Sequence, residues 1–144
     1  MSTRVSASRV IAAPPEKIFD VLADPSQHRD IDGSGSVQGV RTSAPERLRL
    51  GSRFGMRMRI GVPYLISNTV VEFEEGRRIA WRHFGRHIWR YELEPVEGGG
   101  ATLVTETFDW STAPGGPLYP MAGIPARNLR SIEATLERLE RHVA

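Results

Sequence analysis

The residues best suited to chemistry in this sequence are polar and aromatic side chains within positions 81–110. Glu106 stands among apolar neighbours, and the strand pairing described below places Tyr91 directly opposite it. A carboxylate is costly to bury among apolar groups unless it is hydrogen-bonded or neutral. Four interpretations stay open for Glu106: a satisfied Tyr–Glu pair in a core, a polar anchor for a ligand, a catalytic acid or base with a raised pKa, or a register error that leaves it in water.

Two histidines, His83 and His87, flank the loop residues 84–86 and have the spacing of a metal-binding pair. A structural zinc site needs four ligands, and the sequence offers no third ligand near these two. We therefore expect hydrogen-bonding histidines at the rim of a cavity, with no metal and no cofactor.

The segment Asp30–Gly35 matches the first six positions of a calcium-binding EF-hand loop. The twelfth position of such a loop should be a bidentate glutamate, and here it is Arg41. The residues that follow are typical of a strand rather than of the exiting helix. We therefore predict a Gly/Ser turn without calcium.

Length, composition and charge indicate a globular protein. The 144 residues are 40% hydrophobic and 25% charged, which predicts one domain over residues 1–144 with a real core. No apolar run approaches the roughly 18 residues of a membrane-spanning helix. The start lacks the apolar segment of a secretory signal and there is no cysteine, so we expect a cytoplasmic protein without membrane insertion. A net charge of +2 does not by itself imply nucleic acid.

Alternation of apolar and polar residues from Gly51 onward predicts a series of antiparallel strands. Even positions are apolar in residues 53–60 and odd positions in residues 68–73, which a four-residue loop over 61–64 would bring to one face. That loop places Met58 opposite Ser67 and Phe54 opposite Val71. The turn at 74–76 would then pair Val71 with Ile79 and Thr69 with Trp81, with Gly76 in the left-handed position.

The later turns extend the same inner face. They pair Trp81 with Trp89, Ile79 with Tyr91, Leu93 with Val104, Tyr91 with Glu106, Trp89 with Phe108 and His87 with Trp110. The outer face carries arginines mixed with glutamates. Opposite charges on a sheet face are typical of a solvated surface, whereas a nucleic-acid surface would need a stripe of one sign.

The segment Pro117–Val143 predicts one long helix. Its apolar residues recur in steps of four and three, at Leu118, Ala122, Pro125, Leu129, Ile132, Leu136, Leu139 and Val143. The first half of this stripe is built from small residues. We expect either a kink at Pro125 with a loose core or a ligand-sized hollow opposite Ala122, Gly123 and Ala126. The regular stripe also leaves a monomer or a homodimer open.

Five phrases carry a family resemblance: Ile11–Asp24 (IAAPPEKIFDVLAD), Ile79–Arg82 (IAWR), Trp89–Pro95 (WRYELEP), Gly100–Thr105 (GATLVT) and Asn128–Leu139. With a first strand, two short helices, six more strands and a C-terminal helix, the chain resembles the START-like (SRPBCC) helix-grip superfamily, of the polyketide cyclase/dehydrase and lipid-transport type. The resemblance implies an α+β fold in which a strongly bent seven-stranded antiparallel sheet wraps around the long C-terminal helix. It also implies an apolar cavity between them, and no catalytic motif of the cyclases can be placed on this sequence.

These observations lead to a functional hypothesis. We expect the protein to bind a hydrophobic or aromatic small molecule, lipid or polyketide-like, between the sheet and the C-terminal helix. The alternative is a polyketide cyclase, aromatase or dehydratase that uses the same cavity, with Glu106, Tyr91 and His83 as catalytic candidates. The predicted ligand-binding residues are Met56, Met58, Ser67, Thr69, Trp81, His83, Trp89, Tyr91, Glu106, Phe108, Trp110, Ala122 and Ala126.

Overall fold

The structure is a computed structural model that describes residues 3–40, 45–83 and 86–144. The strands are β1 (Arg4–Ile11), β2 (Val37–Val40), β3 (Arg53–Ile60), β4 (Val62–Glu74), β5 (Arg78–His83), β6 (Ile88–Val96) and β7 (Ala101–Asp109). The α-helices are α1 (Pro15–Leu22), α2 (His28–Ile31) and α3 (Ile124–Val143). Short 3-10 turns lie at Pro25–Gln27, Glu97–Gly99 and Gly116–Leu118.

The strands form one antiparallel sheet in the order β1-β7-β6-β5-β4-β3-β2. β1 returns to the edge beside β7, so the first strand of the chain pairs with the last. α1 and α2 connect β1 to β2, and α3 packs on β1 and β7. This arrangement confirms the predicted α+β helix-grip fold, with seven strands, two short helices after the first strand and a long C-terminal helix.

Prolines and capping side chains shape the segment between β1 and β2. Pro15 occupies the first turn of α1, where its missing N–H leaves no hydrogen bond unmade. Asp24 then caps the next turn, since its Oδ1 accepts a hydrogen bond from the backbone N–H of Ser26 at 3.0 Å. Further along, Asp32 accepts hydrogen bonds from Ser34 and from the backbone N–H of Val37. This loop is a Gly/Ser turn, as predicted.

The predicted register is confirmed across β5, β6 and β7. Trp81 pairs with Trp89, Ile79 with Tyr91, Leu93 with Val104, Tyr91 with Glu106 and Trp89 with Phe108. The predicted partners His87 and Trp110 lie just beyond the last paired residues, Ile88 and Asp109. Phe84 and Gly85, in the predicted loop between β5 and β6, lie outside the described residues.

The predicted register between β3 and β4 is wrong. The strands turn at Gly61, whose φ is +74°, so Ile60 pairs with Val62 and Met58 with Tyr64 rather than with Ser67. The predicted four-residue loop is absent, and the register moves by an odd number of residues, which exchanges the two faces of β4. Ser67 and Thr69 therefore lie on the outer face of the sheet.

A bulge in β4 shifts the pairing of this strand with β5 by one residue. Val70 pairs with Trp81, but Glu72 pairs with Ala80, so the register shifts by one residue at Val71. Such a β-bulge places two consecutive residues of one strand opposite a single partner. Because of the bulge Phe73 still points into the core, as predicted, while Val71 does not. Gly76 in the following turn has a φ of +75°, which confirms its predicted left-handed conformation.

The C-terminal helix is shorter than predicted. It begins at Ile124, after Gly123 in a left-handed conformation with a φ of +71°. Pro125 then falls in the first turn of α3, where proline is compatible with a helix, so it does not kink the interior. The predicted apolar stripe survives only from Ile132 onward, and Leu118 is 67% exposed.

The core lies between the sheet, α1 and the C-terminal half of α3. Its largest fully buried side chains are Phe19, Phe108, Ile11, Ile18, Leu22, Leu48, Ile79, Ile132, Leu136 and Leu139. None of the helices in the described ranges combines the length and the apolar character that crossing a membrane requires.

Gly33 joins the loop after α2 to the middle of α3. Its backbone N–H donates a 2.8 Å hydrogen bond to Oγ1 of Thr135. A Cβ at this position would lie 2.5 Å from the backbone nitrogen of Thr135, 2.6 Å from Cβ of Ala134 and 2.7 Å from the carbonyl oxygen of Ser131. The loop can therefore approach the helix this closely only because residue 33 has no side chain.

We predict that Gly33→Ala lowers the free energy of unfolding by about 1–3 kcal/mol, because the added methyl group forces loop and helix apart. Urea unfolding followed by circular dichroism measures this change. Gly100→Ala is the matched control, since its Cβ would meet only the Glu97 carbonyl oxygen, at 3.8 Å. An equal loss in both variants would mean that the contact with α3 does not matter.

Candidate functional site

A cavity of about 550 Å³ lies between the inner face of the sheet, α2 and the N-terminal half of α3. The sheet contributes Phe54, Met56, Met58, Tyr64, Ile66, Asn68, Trp81, His83, Trp89, Tyr91, Glu106 and Phe108, with His87 just before β6. The opposite wall consists of His28, Ile31, Asp32, Ser34, Ser36, Val37, Tyr119, Ile124, Arg127, Asn128, Ser131, Ile132 and Thr135.

Aromatic rings form most of the sheet wall. The rings of Trp89 and Phe108, which pair across β6 and β7, have centroids 4.8 Å apart. Trp81 and Tyr91 follow at 5.7 Å, and Phe54 meets Trp81 edge to face at 5.5 Å. These separations are those of favourable aromatic pairs. The wall therefore consists of rings that hold one another in place and present apolar faces to the cavity.

Glu106 is the polar group in this wall with the most unusual surroundings. The side chain is 4% exposed, and its Oε1 is buried with no hydrogen-bond partner within the described parts of the chain. Burial raises the pKa of the Glu106 carboxyl to about 8, and the charge of Asp32 adds to this increase. Hydrogen bonding to the Tyr91 hydroxyl offsets part of the effect. The carboxyl is therefore mostly protonated at neutral pH.

Tyr91 is the partner of Glu106 on the adjacent strand, as predicted. Burial and the charge of Glu106 raise the pKa of its hydroxyl well above the usual range. Tyr91 therefore keeps its proton and acts as a hydrogen-bond donor. Two neutral oxygen groups thus stand side by side in a wall that is otherwise apolar.

His28 closes the cavity from the side of α2. Its ring stacks on Trp81 with a centroid distance of 4.9 Å and an interplanar angle of 21°. Its Nε2 lies 2.8 Å from the Leu22 carbonyl oxygen, so the neutral ring donates its proton there. Burial lowers the pKa of His28, which favours this neutral form.

His83 and His87 stand at another part of the cavity wall. Their rings stack at 4.6 Å with an interplanar angle of 11°. Burial lowers the pKa of His83, while burial and the nearby His83 lower the pKa of His87 to about 4. The hydroxyl of Tyr119 lies 3.5 Å from Nδ1 of His87, within reach as a donor to the neutral ring. Both histidines are thus uncharged at neutral pH.

The histidine pair has no third metal-ligating side chain beside it in the described part of the chain. Within residues 3–40, 45–83 and 86–144, no group of three or more histidine, aspartate or glutamate side chains is arranged to hold an ion.

Eight of the sequence-predicted site residues line this cavity. They are Met56, Met58, Trp81, His83, Trp89, Tyr91, Glu106 and Phe108. Five others do not. Ser67 and Thr69 lie on the outer face because β3 and β4 pair in a different register from the predicted one. Trp110 is buried beside Phe108 without lining the cavity.

Ala122 and Ala126 are exposed, as is Gly123, so the predicted hollow opposite these small residues is not there. Ala122 precedes the helix, and Ala126 lies on a face of α3 that points away from the sheet. The cavity instead faces Ile124, Asn128, Ser131 and Thr135, which recur in steps of four, three and four. That helical face was visible in the sequence as a polar stripe beside the apolar one, and sequence reasoning missed it.

Two further cavity residues were missed for different reasons. Asn68 is buried on the inner face because of the β3–β4 register, so only the turn at Gly61 could have revealed it. His28 was not among the predicted site residues, and nothing in the local sequence indicates its stacking on Trp81, a residue 53 positions away in the chain.

Comparison with known proteins agrees with this fold. Residues 2–144 match the sequence model of a family described as polyketide cyclase / dehydrase and lipid transport. The uncharacterized protein Rv0088 of Mycobacterium tuberculosis is 40% identical over 141 residues, which cover 94% of this chain and 62% of that protein. The chain thus spans less than two thirds of the length of this relative.

Solved structures share the fold at low sequence identity. The AHSA1-like protein from Aeromonas hydrophila has a TM-score of 0.71 and 20% identity over 97% of this chain and 91% of its own. Protein Ms6760 from Mycobacterium smegmatis has a TM-score of 0.72 and 17% identity over 99% and 91%. These two similarities concern the fold alone. The match over nearly all of the sequence goes further: the chain belongs to the polyketide cyclase/dehydrase and lipid transport family.

Proposed function

We propose that this protein binds a hydrophobic, aromatic small molecule in the cavity between the sheet and α3, and that a neutral hydrogen-bonding group of this ligand contacts Glu106. The observation that carries the proposal is the buried Oε1 of Glu106, which has no partner among the described residues. A polar atom left unpaired in an apolar site costs about 1–3 kcal/mol. A ligand hydroxyl or carbonyl at this position would remove that cost.

The volume and the lining fit a ligand of moderate size. Ligand cavities usually enclose about 300–1,000 Å³ and combine apolar walls with a few polar groups. The cavity of about 550 Å³ has both features. Aromatic walls favour flat rings, since each stacked or edge-to-face contact contributes about 0.5–1.5 kcal/mol beyond the burial of area. Lipid and polyketide-like molecules both meet these requirements, and a flat polyketide-like ring system makes more of the available contacts.

The charges of the lining favour a neutral group next to Glu106. A protonated carboxyl can donate one hydrogen bond and accept others, so it suits a hydroxyl or a carbonyl of the ligand. An anionic group at that point would meet the carboxyl of Glu106 and the negative charge of Asp32. The cationic side chain of the lining is Arg127, which is exposed on α3. Any acidic group of the ligand should therefore lie near Arg127 rather than near Glu106.

One observation favours the second candidate function, an enzyme of the cyclase or dehydratase type. General acids and bases work best when their pKa lies near the operating pH, and the pKa of Glu106 is about 8. Glu106 with Tyr91, or His83, could then move protons while the aromatic wall fixes the fold of a substrate with several carbonyl groups. The family description includes both enzymes and lipid carriers, so family membership does not decide between them.

The protonation state of Glu106 predicts a specific pH dependence of stability. The ordinary pKa of 4.5 applies to the unfolded chain, whereas the folded pKa is about 8. Between these values only the folded state keeps the proton, so the contribution of Glu106 to the free energy of unfolding falls by about 1.4 kcal/mol per pH unit as pH rises. Glu106→Gln cannot titrate. We predict that it gains stability relative to the wild type from pH 5 to pH 8, as measured by urea unfolding at each pH.

The difference between wild type and variant isolates Glu106, because the histidines titrate equally in both proteins. Glu94→Gln serves as the control for the substitution itself, since Glu94 is exposed on β6 and lies outside the cavity. If the free energies of unfolding of the wild type and of Glu106→Gln changed in parallel with pH, Glu106 would be ionised in the folded protein.

Ligand binding can be tested with the protein as purified and with matched probes. We expect native mass spectrometry to detect a bound molecule that is lost on denaturation. Fluorescence of Trp81 and Trp89 should respond to 2-naphthol more than to 2-naphthoic acid, because the second carries a negative charge. Glu106→Leu removes the hydrogen-bonding group and should weaken 2-naphthol binding about tenfold, whereas Glu94→Gln should not.

The binding proposal would be abandoned if no molecule co-purified and neither naphthalene probe, nor a panel of lipids, changed the tryptophan emission.

The same residue separates the binding module from the enzyme. If a co-purifying molecule or a polyketide-like analogue is converted to product, Glu106→Gln should lower turnover by about 100-fold or more while leaving binding nearly intact. A carrier would instead show only a change in affinity. Product analysis by mass spectrometry alongside fluorescence titration measures both quantities on one sample.

A further inference from the structure

A second depression, separate from the cavity, lies on the outer face of the sheet. It encloses about 460 Å³ and is lined by Ser67, Thr69, Val71, Arg82, His83, Arg86, Ile88 and Thr112. This depression exists because the turn at Gly61 and the bulge at Val71 bring Ser67, Thr69 and Val71 to the outer face. His83 contributes to both sites, since it lies at the end of β5 where the wall of the cavity ends.

The charge in this depression is of one sign. Arg82 and Arg86 both contribute guanidinium groups, and among the described residues no aspartate or glutamate lines the depression. Neither arginine belongs to any of the ion pairs found among the described residues. Arg78 lies on the same face of the same strand, yet it has Glu72 and Glu92 within 3.8 Å. The sheet therefore supplies carboxylates to one arginine of β5 and none to the other.

The acidic residue in line with Arg82 across the sheet, Asp109, is already engaged elsewhere. Arg82 on β5 pairs with Ile88 on β6, and Ile88 pairs with Asp109 on β7. Its Oδ1 accepts a hydrogen bond from the backbone N–H of Ser111 at 2.9 Å, and its Oδ2 lies 3.5 Å from Nη1 of Arg90. Asp109 is thus committed to the neighbouring ion-pair network rather than to the depression.

Two hydrogen bonds fix the backbone of Arg86. Arg86 has a φ of +67°, an unusual value for a residue with a side chain. The Arg86 N–H donates to the His83 carbonyl oxygen at 2.8 Å, and the Arg86 carbonyl oxygen accepts a hydrogen bond from the Thr112 hydroxyl at 2.7 Å. These bonds keep the base of the Arg86 side chain beside the depression. Strained backbone that neighbouring groups hold in place is often associated with ligand sites.

We propose that this depression binds the phosphate group of a phosphorylated small molecule. Guanidinium groups bind phosphate oxygens through paired, charge-assisted hydrogen bonds, and two of them can share one dianion. The hydroxyls of Ser67 and Thr69 add neutral donors at the same place. Val71 and Ile88 provide an apolar floor, which reduces competition by water and leaves room for an organic portion next to the phosphate. The proposal does not depend on what the inner cavity binds.

The test is a titration of inorganic phosphate and of phenyl phosphate into ¹⁵N-labelled protein at constant ionic strength. We expect saturable changes in the amide signals of residues 67, 69, 82, 86 and 112, with phenyl phosphate binding more tightly because of the apolar floor. Arg82→Gln and Arg86→Gln should each weaken binding about tenfold, the loss expected for one charged hydrogen-bond donor.

The matched control is Arg78→Gln, which removes the same charge from the same strand and face. It should leave the affinity for phenyl phosphate unchanged. Changes that do not saturate, or an equal loss of affinity in Arg78→Gln, would show that phosphate senses only the general positive charge of the surface and would overturn the proposal. All three side chains are exposed, and the spectra themselves report whether each variant is folded.

A second experiment distinguishes a lipid headgroup from a free phosphorylated molecule as the source of the phosphate. Sedimentation with phosphatidylcholine vesicles, with and without phosphatidic acid, tests binding of a lipid headgroup. Co-sedimentation that requires phosphatidic acid and is lost in Arg82→Gln would assign the site to headgroups. Saturable binding of phenyl phosphate without co-sedimentation would assign it to a free phosphorylated molecule. Absence of both kinds of binding would refute the site.

Discussion

One long helix, α3, packs on the inner face of a seven-stranded sheet, and a helix is too narrow to cover a sheet of this width. An α-helix with its side chains is about 10–12 Å across, whereas six inter-strand spacings of about 4.8 Å make a sheet nearly 30 Å wide. α3 packs on β1 and β7, and the cover of the inner face of β3–β6 falls to the short helices α1 and α2 and the loop after α2. The cavity is therefore a direct result of the ratio between helix width and sheet width. Its aromatic wall lies on the part of the sheet that the helices leave uncovered.

This incomplete cover determines the chemistry of the enclosed groups. Glu106 lies on β7, where the helix contact gives way to the cavity, so its carboxyl loses water on one side without gaining a full set of protein partners on the other. Burial alone then keeps the acid protonated. The same lack of water keeps His28, His83 and His87 uncharged. Several titratable side chains thus behave at neutral pH as neutral hydrogen-bonding groups.

The accuracy of the sequence predictions depended on how each element is specified. The pairing of β5, β6 and β7 was correct because alternation, turn residues and aromatic pairs all indicated the same register. The β3–β4 pairing failed because the apolar residues of 61–71 satisfy either face of β4, so alternation could not locate the turn or the bulge. The helix began seven residues later than predicted, at Ile124, because Gly123 and the prolines around it outweigh a stripe of small residues. Contacts between distant segments, such as His28 on Trp81, leave no periodic signal at all.

The part of β4 before the bulge at Val71 lines both the cavity and the depression. Ile66 and Asn68 line the cavity, while Ser67 and Thr69, which alternate with them, line the depression. The partition of this peptide between two compartments rests on the parity of a single turn. A gain or loss of one residue at Gly61 would exchange the two faces of β4. The hydroxyls of Ser67 and Thr69 would then face the cavity, and the amide of Asn68 would face the outer depression. The length of this hairpin is therefore under a stricter constraint than its composition.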